Sequence, residues 1–429
     1  MPIFKKHLWI GWNRIVLTTV FTFIYSASNA QEFTYEFNGK IIEQPTFYHR
    51  KKDYLLNPNR NILDISPWKN RFYADISFNL RYRDTKFISK IRPTVLSDDN
   101  KTRFRNKIDD LYVDQMVRDK FFFYVGKKNI RDGVALGFNP TDFLGEEKEV
   151  DLTKREEERR LEREGNYLVG MDAFYNDVTW TAVFAPRTGG WQEERSRVLL
   201  KASYLMESIN TDMSLHAFNG SIPGIGFNIS HTANDHLVLY TETAFRKGSD
   251  RKIVRLLSEG SPNSYEIKKR NDEKIFPHLA SGGHYTFKNG TNVILEYLYK
   301  GDGYNQKEWD GFEGFVTYNN AQFKNGLFLD SVRSNLSQAN QIMTFRKMRK
   351  NYLFTRISNP SLFDKVDGAF VIFLNLDDNS FILNPSLDYK INPNTTIGLS
   401  SNIFVGEETR EFGMMHWGQD VTLMYKYYF

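Results

Sequence analysis

The 429-residue chain contains no cysteine. Neither a disulfide framework nor a lipid-modified cysteine can hold or anchor it. After residue 30 no apolar run reaches the 18 or more residues that a membrane-spanning helix needs. An excess of one charge is lacking too: 57 Lys and Arg stand against 52 Asp and Glu, a net +5. That balance gives no footprint for nucleic acid. Mean hydropathy is low, at −0.51. Aromatic residues, by contrast, are plentiful: 15% of the chain, with 35 Phe and 23 Tyr. A transmembrane β-barrel accounts for both facts. Only alternate strand residues face lipid, which keeps hydropathy low, while girdles at the two interfaces raise Phe and Tyr.

The start of the chain reads as a secretory signal. Lys5, Lys6 and Arg14 form a basic region, Ile15 to Ala27 is mostly apolar, and Ser28-Asn29-Ala30 offers the small residues of a cleavage site. Residues 1–30 are therefore expected to be removed after export. Residues 31–429 then form one channel domain. Loss of three cations and no acid lowers the net charge from +5 to +2.

About eighteen segments (16–18) alternate in polarity. They run from "EFTYEFNG" and "RFYADISFNLRY" to "TTIGLSSNIF" and the terminal "DVTLMYKYYF". A soluble sheet could also end on such a strand, but the connections speak against one. After even-numbered segments they are mostly short, as in "RDTK", "VRDK", "ND" and "TAND". Long ones, near residues 50–70, 128–165, 248–275, 301–346 and 406–418, follow odd-numbered segments. Short periplasmic turns on one rim and long extracellular loops on the other describe an antiparallel outer-membrane barrel. The expected partners are the lipid bilayer and the barrel-insertion machinery, the latter through Phe429.

The period of two assigns faces. Phe381, Leu383, Pro385, Leu387 and Tyr389 are expected to meet lipid, as are Val421, Leu423, Tyr425, Tyr427 and Phe429. A cation at the bilayer midplane costs about 2–4 kcal/mol, so charges mark the inner face. The expected pore-lining, anion-attracting residues are Arg81, Arg83, Lys90, Arg92, Arg103, Arg105, Lys107, Lys128, Arg131, Arg197, Lys201 and Arg246. Inward carboxylates are fewer: Asp75, Asp172, Glu242, Glu296 and Asp388. Rings of basic residues are one way a pore favours anions. The fourth segment breaks the pattern, because the register that turns Arg105 and Lys107 inward also turns Leu111 and Val113 inward. A β-bulge near Asp109–Asp110 would repair it.

The fifth segment ends on Val125-Gly126-Lys127-Lys128 and enters a long loop through "NIRDGVALGFNPTDFLG". From Leu111 to Phe143 this resembles the alginate-export family of outer-membrane channels and related porins. Lys127 stands where that family usually has Arg, and Lys128 where it has Gln. The resemblance implies an eighteen-stranded channel with a basic constriction, loops folded over or into the pore, and an anionic polysaccharide as one candidate cargo. Further on, "TKREEERRLEREG" is a helix candidate with Glu156 and Arg160 at i,i+4. It suits a solvated external helix, or a lid bringing Arg155, Arg159, Arg160 and Arg163 to the mouth. Trp309, Phe312, Phe315 and Tyr318 in the 301–346 connection suit packing against the rim better than contact with sugars.

Catalytic signals are weak. There is no G-x-S-x-G elbow and no H-E-x-x-H. Ser230 and His231 are adjacent and so face opposite sides of a strand. "GDGYNQKEWD" departs from the calcium-loop pattern at Tyr304. The reading is a channel without cofactor for polar, chiefly anionic solutes. An outer-membrane barrel enzyme of lipase or protease type, or a receptor or adhesin, is the alternative.

Overall fold

The computed structural model describes residues 33–51, 53–58, 65–145, 162–188, 195–257, 265–269, 273–343, 347–415 and 417–429. The expected signal segment and most of the "TKREEERRLEREG" segment lie outside them.

Eighteen strands form one antiparallel sheet. They are β1 (Phe33–Arg50), β2 (Trp68–Tyr82), β3 (Thr85–Asp98), β4 (Thr102–Val117), β5 (Phe121–Lys128), β6 (Asn166–Tyr175), β7 (Val178–Ala185), β8 (Arg197–Met206), β9 (Thr211–Asn219), β10 (Gly224–Asn234) and β11 (Leu237–Lys247), then β14 (Ile275–Thr286), β15 (Asn292–Lys300), β16 (Asn351–Asn359), β17 (Val366–Asn375), β18 (Phe381–Asn392), β19 (Thr395–Val405) and β20 (Trp417–Tyr428). Neighbours in sequence are neighbours in the sheet, and β1 pairs with β20. That last pairing closes the cylinder and removes the free edges that an open sheet would present. The remaining strands, β12 (Lys252–Leu256) and β13 (Tyr265–Lys269), make a separate hairpin in one long connection.

The connections sort by rim as the sequence implies. Asn176 and Asp177 both take left-handed φ, 47° and 61°, and so make the tight two-residue turn between β6 and β7. All long excursions leave the opposite rim. The largest contains two helices that the strand reading of the sequence passed over, α1 (Gln306–Lys324) and α2 (Leu329–Met343). The first helix has a legible start signal: the Asn305 side chain accepts from the Glu308 N–H at 2.9 Å, and Glu308 accepts from the Asn305 N–H at 3.0 Å.

The bulge falls where the pattern needs it. Lys90 pairs with Asp110 and Ile91 with Ile108, so Asp109 is skipped. The extra residue turns the rest of β4 over. Arg105, Lys107 and Asp109 share the inner face, while Val113 returns to the outside, where it is exposed.

Two buried clusters stand inside or above the cylinder. The larger joins Trp309, Phe312 and Phe315 of α1 and Leu336 of α2 to Tyr352, Phe373 and Phe404 of the wall and to Phe412 and Met414 of the β19–β20 connection. These helices form a roof on the long-loop rim. Their aromatics pack, as the sequence suggested, instead of lining an open surface. The smaller cluster gathers Phe143 and Leu144 against Leu199, Phe218 and Ala244.

Candidate pore lumen

The outer and inner faces separate cleanly on the last strand. Leu423 and Tyr425 are 46% and 44% exposed on the outside, while Asp420 and Thr422 are buried on the inside. Thr422 and Thr46 of the closing partner strand share a hydrogen bond of 3.0 Å. Phe429 lies outward over Gly39, where any Cβ would fall 2.5 Å from its ring. Its backbone N–H and carbonyl both bond to Gly39 at 3.0 Å.

Residues 131–145 fold inward and lie along the wall from β6 to β16. Two buried carboxylates hold them. Glu242 on β11 accepts the N–H of Val134 at 2.9 Å, the N–H of Thr141 at 2.8 Å and the Thr141 hydroxyl at 2.8 Å. Glu296 on β15 accepts the N–H groups of Leu136 and Gly137, each at 2.7 Å, and the Tyr240 hydroxyl at 2.6 Å. Buried carboxylates need such donors, and backbone N–H groups buried away from water need acceptors; each supplies the other's want. Gly133 has a φ of +98°, and a Cβ there would fall 2.6 Å from the Glu242 oxygens. Only glycine fits that approach.

Side chains clamp the segment's flanks. Arg163, a lid candidate in the sequence, is instead buried beneath it. Its guanidinium donates to Asp142 at 2.8 Å, to the Gly145 carbonyl at 2.7 Å and to the Ile130 carbonyl at 2.6 Å. Lys201 donates to Asp132 at 2.6 Å. Arg246 donates to the Pro140 carbonyl at 2.8 Å and lies over the Phe143 ring. Arg197 is buried, with its guanidinium on Asn166.

The opposite wall, around β20, β1, β2 and β3, borders a cavity of about 460 Å³. Lys40, Lys90, Lys426, Asp75, Tyr73 and Glu162 reach its lining. Beside it Arg92, 4% exposed, is held by acids on three sides. Its Nη2 lies 2.5 Å from Asp109, its Nε donates to Asp75, and its Nη1 donates to the Glu162 carbonyl at 2.6 Å. Lys40 lies 3.2 Å from Asp75 and 3.7 Å from Glu162. Lys426 lies 3.3 Å from Asp388. Cations thus outnumber acids at the surface of the cavity, while Arg92 itself is locked in the wall.

The remaining residues of the expected set spread along the lumen's axis. Arg81 and Arg83 stand at the short-turn rim, where Arg81 donates to the Arg83 carbonyl at 3.2 Å. Arg103 and Arg105 are exposed at the long-loop end of β4, with Arg103 3.7 Å from Asp98. Lys107 pairs in register with Arg92. Lys128 caps the Tyr124 ring at 3.6 Å and the Tyr112 ring at 4.8 Å, an inward cation–π stack. Arg131 is exposed where the inward segment begins. Lys40, Lys426 and Glu162 were not in that set. Lys40 lies past the point where the first alternating segment breaks in sequence, although β1 continues to Arg50.

No catalytic arrangement open to a substrate occurs among the described residues. Ser214 Oγ lies 2.9 Å from His216 Nε2, but Asn228 shares that nitrogen, His216 Nδ1 has no partner, and the ring is sealed under the inward segment. Asp302 of the calcium-like stretch bonds Ser249 at 2.8 Å and lies 3.7 Å from both Arg251 and His278. Burial pushes its carboxyl up, but Lys300, Arg251 and His278 outweigh that and hold it well below the usual carboxylate range.

No family model and no curated protein sequence matches the chain. Solved structures do. OccAB3 of Acinetobacter baumannii aligns at a TM-score of 0.50 with 10% identity, covering 92% of this chain and 99% of that one. OpdK, an outer membrane protein of Pseudomonas aeruginosa, aligns at 0.50 with 8% identity, covering 92% and 98%. A variant of OccD1 (OprD) aligns at 0.50 with 9% identity, covering 94% and 97%. The shared feature is the fold. This chain is a closed, eighteen-stranded transmembrane β-barrel of that architecture.

Proposed function

We propose that the protein is a diffusive channel of the bacterial outer membrane that passes small polar solutes and favours anionic ones. One observation carries the reading: an inward segment pinned to half the wall by Glu242 and Glu296 faces a cavity on which Lys40, Lys90 and Lys426 converge. A narrowed, hydrated lumen lowers the barrier for polar solutes, and fixed cations raise the local anion concentration without tight binding. Arg103, Arg105 and Arg131 extend the positive field toward the external mouth, and Arg81 and Arg83 toward the internal one. The narrowing and the helical roof favour small molecules over the anionic polysaccharide implied by the resemblance to alginate-export channels.

Export follows cleavage after Ala30 in this reading, and the outward aromatic Phe429 presents the terminal strand to the insertion machinery. The mechanism is passive and needs no cofactor. Planar-bilayer recording in a salt gradient tests it. A reversal potential of anionic sign supports the reading, and cation preference sinks the anionic part. A folded barrel that conducts nothing sinks the channel.

A further inference from the structure

We propose that Glu411 is a proton-operated latch, fastening the β19–β20 connection to the barrel rim in acid and loosening it as the medium becomes neutral to alkaline. The proposal rests on the channel reading for its consequence, though not for its geometry. Residues 406–415 join the roof from several sides. Trp309 at the start of α1 donates its indole N–H to the Thr409 carbonyl at 3.0 Å. The Tyr54 hydroxyl, from the β1–β2 connection, donates to the Gly413 carbonyl. Phe412 and Met414 are buried in the roof cluster.

At the centre is one carboxylate. Glu411 is 2% exposed. Its Oε1 accepts the Met348 N–H at 2.8 Å, and its Oε2 accepts the Tyr352 hydroxyl and the Asn375 amide, each at 2.7 Å. It therefore ties the connection to the chain leaving α2, to β16 and to the end of β17. All three donors are neutral, and among the described residues no cation lies within ion-pair distance of it. The three neutral donors offset the burial of the charge only in part, because Asp378 stands close enough to bond the Glu411 N–H and repels the ionised carboxyl.

The charged groups around it do not supply the missing partner. Arg251, from the β11–β12 connection, is spent on the Met348 carbonyl and lies 3.7 Å from Asp302. Arg349 lies 3.9 Å from Asp377 and donates to Gln306 at 2.7 Å. Lys347 donates to the Gly137 carbonyl at 2.5 Å. Arg410, on the same connection, pairs with Glu407 at 2.8 Å. Lys300 and His278 gather around Asp302 just past the end of β15, with Ser249 bonded to the same carboxylate; Lys300 also feels Glu411 at longer range, outside ion-pair distance. Asp378, from the β17–β18 connection, accepts the Glu411 N–H at 2.9 Å and adds repulsion.

Burial pushes the Glu411 carboxyl up; the Met348 N–H, the Tyr352 hydroxyl and Arg251 pull it back, and it settles at about 7 against 4.5 for a free glutamate. The sign follows. A carboxyl whose value is raised by docking is held best when protonated. The docked form has its full stability below 4.5 and loses it as pH rises toward 7, by up to about tenfold in the docking equilibrium per pH unit.

The test compares wild type with Glu411→Gln, which is uncharged at every pH, in full-length refolded barrels. Tryptic cleavage after Arg410 is measured as the ratio of wild type to E411Q at each pH, which cancels the protease's own pH dependence. The ratio is expected near one at pH 5 and at least severalfold higher at pH 8. Open-channel fluctuations in bilayers are expected to follow the same course. A ratio flat across pH 5–8 overturns the latch. Tyr352→Phe removes a donor from the ionised carboxylate and should raise cleavage more at pH 8 than at pH 5; no such difference also overturns it. A barrel that shows the cleavage profile but conducts nothing keeps the latch and loses the channel.

Discussion

Asp109, the residue skipped in the β3–β4 ladder, places its Oδ2 2.5 Å from Nη2 of Arg92. A single inserted residue thus delivers a carboxylate to a guanidinium buried in the wall. Asp109→Ala leaves Arg92 with Asp75 and the Glu162 carbonyl, and the barrel should lose about 1–3 kcal/mol. Urea unfolding from lipid vesicles measures this. The same variant removes a lumenal negative charge, so its reversal potential should move further toward anions.

Glu242 and Glu296 fix the width of the passage in this reading. Glu242→Ala leaves the N–H groups of Val134 and Thr141 without their acceptor, at about 1–3 kcal/mol for each buried donor that finds no substitute. The inward segment should detach locally while the cylinder stays closed. Single-channel conductance should rise and become noisier, with folding unchanged by gel mobility. An unchanged conductance in the double variant with Glu296→Ala would mean that the segment does not set the constriction.

Lys40, Lys90 and Lys426 converge from three strands on one cavity. Replacing each with Gln should reduce anion preference in small steps, because each is one charge in a hydrated lumen. Replacing all three with Glu should reverse the sign of the reversal potential. The effect should shrink in concentrated salt, where the screening length falls to about 3 Å at 1 M.

Leu423 sits on the outer belt among exposed aromatics. Leu423→Arg should cost about 2–4 kcal/mol if it lies at the bilayer midplane. Folding yield into vesicles of defined thickness reads this out. The inward neighbour Thr422→Arg should be limited by space inside the barrel and show no dependence on bilayer thickness.

What the sequence determined by itself was set by local periodicity. Alternation along eighteen segments, and connections sorted by length onto two rims, were enough for the cylinder, its inside and its outside. Even the bulge at Asp109 was legible, because Leu111 and Val113 could not share a face with Arg105. The inward carboxylates Glu242 and Glu296 could be placed on the lumen side for the same reason. Their role could not, since it depends on backbone N–H groups 101 and 159 residues earlier in the chain. The tertiary structure alone decided which charges meet. It locked Arg92 among acids and Arg163 on Asp142, set Lys40 against Asp75 and Glu162 and Lys426 against Asp388 at the cavity, and buried the aromatics of α1 in the roof. Periodicity tells a side chain which way to point; whether its charge is free or matched depends on what the closed barrel brings opposite it.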